Sequence, residues 1–474
     1  MNVIQELRTW LGSRWTWFFF TVLLVVVILS ISTPEGLSKE GHRALALLAA
    51  VVVLFVAEPI SAPGTILFIA IYQVLMGLGT PNQVARSFMH DAVFFIMGAL
   101  MIGVALTSQD VGQRVILFII DKLGSSTRRI SFALVSSSAL LAGFIAGHVV
   151  AAVMTPMTLS LVRTMKENTK KSTVKLSKFL LFSVAYGASI GALYAPSGGG
   201  RNIIILGFLQ RMQGISIGYG EWIVYSLPIT ILLIPVTSWI LFRAFRPQIR
   251  DLSEATAGLR GELEEREITG ETVLTLAIFA LIVFLWITLG STLGLGVISL
   301  IGALLYLVFG IVRWDDYHTN INWGVILIYM GALSLGSVLE RSGAAEWIAN
   351  LVLTFVREGL GLSGLFPIAA TSSLLSISMT NLMSAGATAS VVGPITLKLA
   401  ELSSISPLGM GLLTAISCSL GFLLLLATPA NAIIYSTGYV KPKDFLTAGV
   451  WMTVASFIIL GLVVFTWWNF LGLL

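Results

Sequence analysis

The sequence predicts an all-α polytopic membrane protein with two inverted repeats, about 11 transmembrane helices and two re-entrant hairpins. Of its 474 residues, 56% are apolar and only 11% are charged, and the mean hydropathy is +0.93. Soluble domains do not have this balance. The apolar runs are continuous and do not alternate with polar residues, which argues against a β-barrel. Two of these runs are interrupted in the middle by short stretches that contain glycine or proline.

Composition and charge narrow the class further. The single cysteine, Cys418, lies inside an apolar segment, so the chain has no internal disulfide framework. The net charge of +5 comes from basic residues at segment ends and does not indicate nucleic-acid binding. The first apolar segment, 15–31, lacks a small-residue cleavage site, so we interpret it as a retained span and not a removed signal peptide.

Hydropathy and internal similarity predict five parts along the chain. Pro156 and Pro394 lie 394 − 156 = 238 residues apart, and Asn202 and Asn431 lie 431 − 202 = 229 apart, which indicates a repeat. The predicted parts are N-terminal scaffold helices (1–90), a first inverted repeat (91–246), a cytoplasmic linker (247–271), further scaffold helices (272–321) and a second inverted repeat (322–474). The first repeat contains hairpin 131–163 and broken helix 178–209. The second repeat contains hairpin 363–400 and broken helix 408–436.

Basic residues collect on one predicted face of the membrane. They include Arg8 and Arg14, the lysines between 166 and 175, the arginines between 243 and 266, and Lys441 with Lys443. By the positive-inside rule this face is cytoplasmic. We therefore expect a multi-pass protein of the cell inner (plasma) membrane, with its N-terminus in the cytoplasm and its C-terminus outside.

Two interrupted helices indicate a transporter. The first interruption runs from Ala195 to Asn202 and the second from Ala427 to Asn431. Inside a bilayer, an unwound backbone is tolerated only where protein or a water-filled cavity covers it. Paired interruptions in two halves of a chain are the best sequence indication of a transporter's binding site. The half-helices that follow Asn202 and Asn431 would direct their positive dipole ends at an anion.

These segments resemble the divalent anion/sodium symporter family of the ion transporter superfamily, whose members carry dicarboxylates, citrate and sulfate. The likeness covers almost the whole chain. It is carried by the segments 57–63, 323–347 and, most specifically, 427–433 with 438–444. The resemblance implies a homodimer that works by an elevator-like movement, with a small anion as substrate.

The sequence departs from the family at the ion-binding positions. The family has Ser-Asn-Thr at each hairpin tip, ten residues before a proline. Here the tips read Ser384-Ala385-Gly386 and Ala146-Gly147-His148, and the family's Pro-Pro-Asn in the first broken helix reads Gly200-Arg201-Asn202. Side-chain oxygens that would bind sodium are lost, whereas an arginine, whose planar fork suits carboxylate or sulfate, is gained. We therefore predict a secondary active transporter of di- or tricarboxylates that is less dependent on sodium and is either proton-coupled or an exchanger.

The predicted site residues follow from these segments. The candidates for binding the substrate are Arg201, Asn202, Gly200, Ser384, Thr388, Thr428, Pro429, Asn431 and His148. The candidates for a coupling ion, Na⁺ or H⁺, are Ser384, Gly386, Ala427, Asn202 and Asn431. We predict no catalytic residue, no bound metal and no cofactor. The expected partners are the small anion, the lipid bilayer and a second copy of the chain, but no nucleic acid.

Alternative interpretations remain open from the sequence. Arg201 could hold the scaffold by pairing with a carbonyl or with Asp110, and His148 could be a hydrogen-bonded packing residue. Asn202 and Asn431 could cap helix ends, and Ser384 and Thr388 could bond to their own helices. An inorganic-oxyanion carrier (sulfate or arsenite-type) is the alternative function. A channel fits less well, because two polar broken helices indicate binding and occlusion. An intramembrane enzyme fits less well, because the four histidines are scattered and form no catalytic set.

Overall fold

The computed structural model describes residues 14–169, 172–264 and 268–473. Arg8, Lys170, Lys171 and Arg266 of the predicted basic face lie outside these residues. The described chain is helical, and its only bridge of β type is an isolated antiparallel pair between Ser126 and Asp251. Contacts divide the chain into two compact units. Unit A comprises Met1–Val93, Ile204–Ile215 and Asn322–Cys418, and unit B comprises Phe94–Ile203, Ser216–Ile321 and Ser419–Leu474.

The helices of unit A come from the N-terminal part of the chain and from residues 322–418. They are α1 (Arg14–Ser30), α2 (Lys39–Ala57), α3 (Ala62–Leu75), α4 (Pro81–Phe88), α16 (Trp323–Arg341), α17 (Ala344–Thr354), α18 (Leu365–Leu382), α19 (Ala385–Leu402) and α20 (Pro407–Ser417). Two further helices run from one unit into the other: α5 (Asp91–Ser108) and α10 (Gly200–Gln213).

Unit B holds the middle of the chain and its C-terminal part. Its helices are α6 (Val111–Leu123), α7 (Thr127–Ala142), α8 (Gly147–Asn168), α9 (Val174–Gly191), α11 (Tyr219–Phe245), α12 (Ser253–Glu264), α13 (Gly270–Leu293), α14 (Leu295–Val308), α15 (Trp314–Asn320), α21 (Pro429–Ser436) and α22 (Pro442–Val463).

Seven described helices are long and apolar enough to cross a membrane, namely α2, α5, α11, α13, α16, α18 and α22 with its extension to Trp468. The helices α1, α3, α14 and α20 are apolar but shorter. Many of their large apolar side chains are exposed on the protein surface, as expected where lipid is the solvent. The prediction of an all-α polytopic membrane protein is confirmed. The division into repeats, linker and scaffold stays a prediction.

Both predicted hairpins fall on pairs of adjacent helices. Hairpin 1 consists of α7 and α8, which pack against each other, and hairpin 2 consists of α18 and α19. In each case a proline is the tenth residue of the second helix: Pro156 in α8 and Pro394 in α19. Each proline removes one backbone donor from its helix at the same place.

The closest helix packing in unit B joins α7 of hairpin 1 to α9, and it depends on two glycines. A Cβ atom added to Gly187 would lie 2.8 Å from the Val135 carbonyl oxygen, and one added to Gly191 would lie 2.1 Å from that of Ala139. The two glycines are four residues apart and therefore share one face of α9. Small residues at this spacing let the backbones of membrane helices approach closely. At its other end, α9 is tied to α22 by a Lys178–Asp444 ion pair of 2.8 Å.

We expect Gly191→Ala to destabilise the protein by about 1–3 kcal/mol, because the new methyl group meets backbone that cannot move aside without shifting a helix. Thermal unfolding in detergent would measure the loss. Gly461→Ala is the matched control, since Gly461 lies within a helix and has nothing within 4 Å of its added Cβ. Equal melting temperatures for the two variants would contradict this account of the α7–α9 contact.

Candidate functional site

The first broken helix is interrupted between α9 and α10. Residues 192–199 leave the helical path and contain only a short 3₁₀ turn, Pro196–Gly198, before α10 begins at Gly200. The carbonyl groups that lose their helical partners here are buried. Each must find another donor, because an unpaired buried carbonyl is costly.

Side chains of α11 provide most of these donors. Trp222, Ser226 and Thr230 lie four residues apart on one face of α11, and all three are buried. Trp222 and Thr230 donate to the carbonyl oxygens of Leu193 and Ile190 at 3.0 Å each. The single proton of the Ser226 hydroxyl is shared between the carbonyl oxygens of Tyr194, at 3.2 Å, and Trp222, at 2.6 Å. A single polar stripe on α11 thus stabilises the unwound backbone.

Asn202 provides the remaining donors from within the broken helix. Its Nδ2 donates to the Ala192 and Ala195 carbonyl oxygens, at 2.9 Å each. The second broken helix, between α20 and α21, repeats this arrangement: Asn431 Nδ2 donates at 3.1 Å to the carbonyl oxygen of Leu424. In both helices one of these bonds reaches back seven residues, from Asn202 to Ala195 and from Asn431 to Leu424. The two asparagines therefore hold equivalent turns.

These bonds also orient the amide groups of the two asparagines. Because Nδ2 must face the carbonyl oxygens, Oδ1 of each side chain points away from them. Asn202 and Asn431 are fully buried, and neither Oδ1 has a hydrogen-bond partner in the described part of the chain. The capping interpretation therefore accounts for the nitrogen of each amide but not for its oxygen. Each oxygen can accept a hydrogen bond from a ligand or coordinate a cation.

Arg201 links the two interruptions. It is half-buried in the first turn of α10, and its Nε donates to the Ser419 hydroxyl, which lies in the second interruption. Gly199 makes room for the guanidinium, since an added Cβ would lie 2.9 Å from its Cζ. The sequence did not indicate Ser419 as a partner. The only signal was a polar residue two positions after the end of α20.

The second interruption is anchored to its surroundings in unit B by its backbone. Tyr186 of α9 donates its hydroxyl to the Phe422 carbonyl oxygen at 2.9 Å, and the two rings are in contact. Gly449 of α22 lies so close that an added Cβ would be 2.2 Å from the same oxygen. Thr428 then caps α21, its Oγ1 accepting from the Asn431 N–H at 3.3 Å. Pro429, the first residue of α21, is exposed, and Ala427 is buried.

The tip of hairpin 1 rests on the first interruption. Ser197 Oγ donates to the Gly143 carbonyl oxygen at 2.9 Å, and the Tyr194 hydroxyl donates to that of Leu140 at 2.6 Å. His148 is the second residue of α8 and is half-buried. Its ring makes no hydrogen bond to any described residue, so the interpretation of His148 as a hydrogen-bonded packing residue gains no support.

Hairpin 2 carries the remaining candidates and belongs to unit A. Ser384 is exposed and caps α19, its Oγ accepting from the Ala387 N–H at 3.3 Å. Gly386 is half-buried. Thr388 is fully buried, and its Oγ1 has no hydrogen-bond partner among the described residues. The sequence analysis missed the polar pair Thr380 and Asn381, which is buried at the end of α18.

The predicted site residues therefore fall into two sets. Unit B brings together the two interruptions and the tip of hairpin 1, with His148, Gly200, Arg201, Asn202, Ala427, Thr428, Pro429 and Asn431. Unit A holds Ser384, Gly386 and Thr388. Within the described ranges, no group of three or more His, Cys, Asp or Glu side chains could hold a metal ion. The binding roles of these residues stay predictions.

We expect Asn202→Ala to lower the free energy of unfolding by about 1–3 kcal/mol, because the buried Ala192 and Ala195 carbonyl oxygens each lose a hydrogen bond and only that of Ala195 keeps a backbone donor, the Gly198 N–H. Denaturant or thermal unfolding in detergent would measure the change. The control is Asn320→Ala, which removes one exposed bond of 2.9 Å to the Asp316 carbonyl and should cost far less. An Asn202→Ala protein as stable as the control would show that water or another group replaces the amide.

Comparison with known proteins extends over the whole chain. The signature of the sodium:sulfate symporter transmembrane region matches residues 12–474. An uncharacterized transporter of Haemophilus influenzae is 26% identical over 470 residues, which cover 95% of this chain and 96% of that protein. The sodium-dependent dicarboxylate transporter SdcS of Staphylococcus saprophyticus is 26% identical over 468 residues, covering 94% and 89%, respectively.

Two solved structures share the fold at low sequence identity. Neisseria gonorrhoeae MtrF, from a class of antimetabolite efflux pumps, aligns with a TM-score of 0.60 at 14% identity, over 97% of this chain and 98% of MtrF. The YdaH transporter of Alcanivorax borkumensis aligns with a TM-score of 0.55 at 12% identity, over 91% of this chain and 99% of YdaH. The family resemblance predicted from the broken helices is confirmed. Because the family signature spans nearly every residue, the protein belongs to the divalent anion/sodium symporter family and is a multi-pass membrane transporter, not an enzyme.

Proposed function

We propose that the protein is a secondary active transporter of di- or tricarboxylates in the cell inner membrane. The observation that carries this proposal is Arg201, which lies in the first interrupted helix and is directed at Ser419 in the second. A charged side chain at the centre of a bilayer costs at least about 2.5–3.5 kcal/mol and generally faces a cavity or a partner. Its planar fork matches a carboxylate. The name of the SdcS relative, a dicarboxylate transporter, supports the same substrate class.

The surroundings of Arg201 favour an anion. The N-terminal ends of α10 and α21 begin at Gly200 and Pro429, and each contributes a positive partial charge. Ser419 fixes one edge of the guanidinium, so its direction is set before the substrate arrives. Such preorganisation lowers the cost of binding.

We propose that transport follows the elevator-like movement implied by the family, in a homodimer with a cytoplasmic N-terminus.

For the coupling, we propose that the arginine supplies the positive charge that bound sodium supplies in relatives. Uptake would then be driven by protons or by exchange. His148 is the candidate proton acceptor, since it lies at the tip of hairpin 1 and an unperturbed histidine titrates near neutral pH.

Sodium coupling is the second candidate, and a specific observation favours it. In unit B, Asn202 Oδ1 and Asn431 Oδ1 are buried oxygens without a hydrogen-bond partner in the described chain. Hard cations prefer oxygen ligands of this kind. The sodium dependence in the printed name of SdcS points the same way.

Radiolabelled succinate uptake into proteoliposomes separates these possibilities. We expect uptake with an inward proton gradient or with internal unlabelled succinate, without sodium. We expect Arg201→Ala to abolish it and Arg163→Ala, which removes an exposed charge from α8, to leave it intact. Uptake that requires sodium would support the second candidate. Absence of succinate uptake, with sulfate uptake instead, would favour the inorganic-oxyanion alternative.

Thr388→Val tests whether the unpartnered hydroxyl serves transport. Because Thr388 Oγ1 makes no hydrogen bond to the described chain, we expect the isosteric valine to leave the melting temperature unchanged or slightly raised, while transport falls. Thr414→Val is the matched control. It removes bonds of 2.9 and 2.8 Å from an equally buried threonine in unit A and should cost about 1 kcal/mol. Normal transport by Thr388→Val would remove Thr388 from the predicted site.

A further inference from the structure

A cavity in unit B, remote in sequence from the broken helices, is lined by four arginines. It has a volume of about 640 Å³ and lies between the start of α7 and the end of α11. The arginines are Arg128, Arg243, Arg246 and Arg250. This volume is in the range of small-ligand sites. We propose that the cavity binds the phosphate-bearing headgroup of an anionic phospholipid.

No carboxylate of the described residues neutralises the charge of the four arginines. Among the described residues, none of the four guanidinium groups forms an ion pair with a carboxylate. The nearest carboxylate in sequence, Asp251, accepts instead from the hydroxyls of Ser125 and Ser253, at 3.1 and 2.6 Å. The Ser253 hydroxyl lowers the pKa of Asp251 by stabilising its charged form. The like charges of four arginines that line one cavity repel one another, and a bound anion would relieve that repulsion.

The walls of the cavity are held in place by backbone bonds. The Thr127 N–H donates to the Arg250 carbonyl oxygen at 2.9 Å, and the Leu252 N–H donates to that of Ser125 at 3.0 Å. The Thr127 hydroxyl adds a buried bond of 2.8 Å to the Ile249 carbonyl oxygen. These bonds fix the segment after α11 against the start of α7. Arg128 and Arg250 are therefore positioned without the help of a ligand.

The surroundings indicate a lipid and not a soluble anion. The cavity lies at the end of α11, a candidate membrane span. One turn earlier, Trp239 is 58% exposed, and the Arg243 guanidinium lies 4.8 Å from the centre of its ring. An exposed tryptophan next to arginine is typical of the membrane–water boundary. Ile231 and Leu232 continue an exposed apolar surface along α11, on which acyl chains can lie while the phosphate occupies the cavity.

Arginines at the end of a helix have a simpler explanation. Positive charge is favourable near a helix C-terminus and on the cytoplasmic side of a membrane. That explanation accounts for Arg243 and Arg246. It gives no reason for Arg128, at the opposite end of a different helix, to face the same cavity with its guanidinium 3.9 Å from the centre of the Phe242 ring. Convergence from two helices is the feature that a phosphate ligand explains.

The test uses the full-length protein in detergent, titrated with dioctanoyl phosphatidylglycerol, dioctanoyl phosphatidylcholine or inorganic phosphate. Binding is followed by native mass spectrometry and by the shift in melting temperature. We expect phosphatidylglycerol to bind, phosphatidylcholine to bind far more weakly, and added salt to weaken the binding. Arg243→Gln/Arg250→Gln should raise the apparent Kd for phosphatidylglycerol at least ~10-fold, as expected for the loss of charge-assisted hydrogen bonds.

The control variant removes the same number of positive charges from residues that lie near the cavity in sequence. Lys122→Gln/Arg129→Gln changes two exposed residues that do not line it and should leave the Kd within ~2-fold of the wild-type value. An equal loss in this control, or equal binding of phosphatidylcholine, would overturn the proposal. Inorganic phosphate binding as tightly as phosphatidylglycerol would also overturn it, in favour of a soluble ligand. If the double variant does not fold, Arg250→Gln alone replaces it, because the backbone bonds at Arg250 do not involve its side chain.

Discussion

The arrangement of unit B depends on the close approach of α7 and α9 through Gly187 and Gly191. Where two backbones approach this closely, a side chain on either glycine would push the helices apart. The first interruption begins directly after this contact, at the end of α9. Its backbone lies against the tip of hairpin 1, where Ser197 and Tyr194 bind the carbonyl groups of Gly143 and Leu140. A loss of the glycine contact would therefore displace the unwound segment as well.

Each carbonyl group of an unwound backbone in a membrane protein needs a hydrogen-bond donor, and here the donors are side chains of different helices. The stripe of Trp222, Ser226 and Thr230 on α11 covers one set of carbonyl groups, and Asn202 covers another. Arg201 is positioned as a consequence, because the turn that Asn202 closes also sets the start of α10. The same seven-residue asparagine bond recurs in the second interruption, which is consistent with the predicted repeat.

Arginines at two places in unit B serve different proposed ligands. Arg201 is half-buried and donates to Ser419, which suits a substrate that binds between the two interruptions. The four arginines between α7 and α11 are exposed, converge on one cavity and lie beside an exposed tryptophan, which suits a resident lipid. Positive charge near the membrane boundary costs little, whereas positive charge within the membrane is expensive. This difference in cost explains why a single arginine lies in the broken helix, whereas four arginines line the cavity between α7 and α11.

The sequence by itself determined the all-helical membrane fold, the family, and the positions of both hairpins and both interruptions. These features depend on local composition: the length of an apolar run, a glycine or proline within it, an asparagine after it. Only the tertiary structure decided that Ser419 accepts a hydrogen bond from Arg201 and that α11 supplies donors to the carbonyl groups at the end of α9. It also decided that Arg128 lines the same cavity as the arginines of residues 243–250. Those partners are separated by some 30 to 220 residues. Such contacts arise from the packing of whole helices, and the hydropathy of a single segment carries no information about which neighbour will face it.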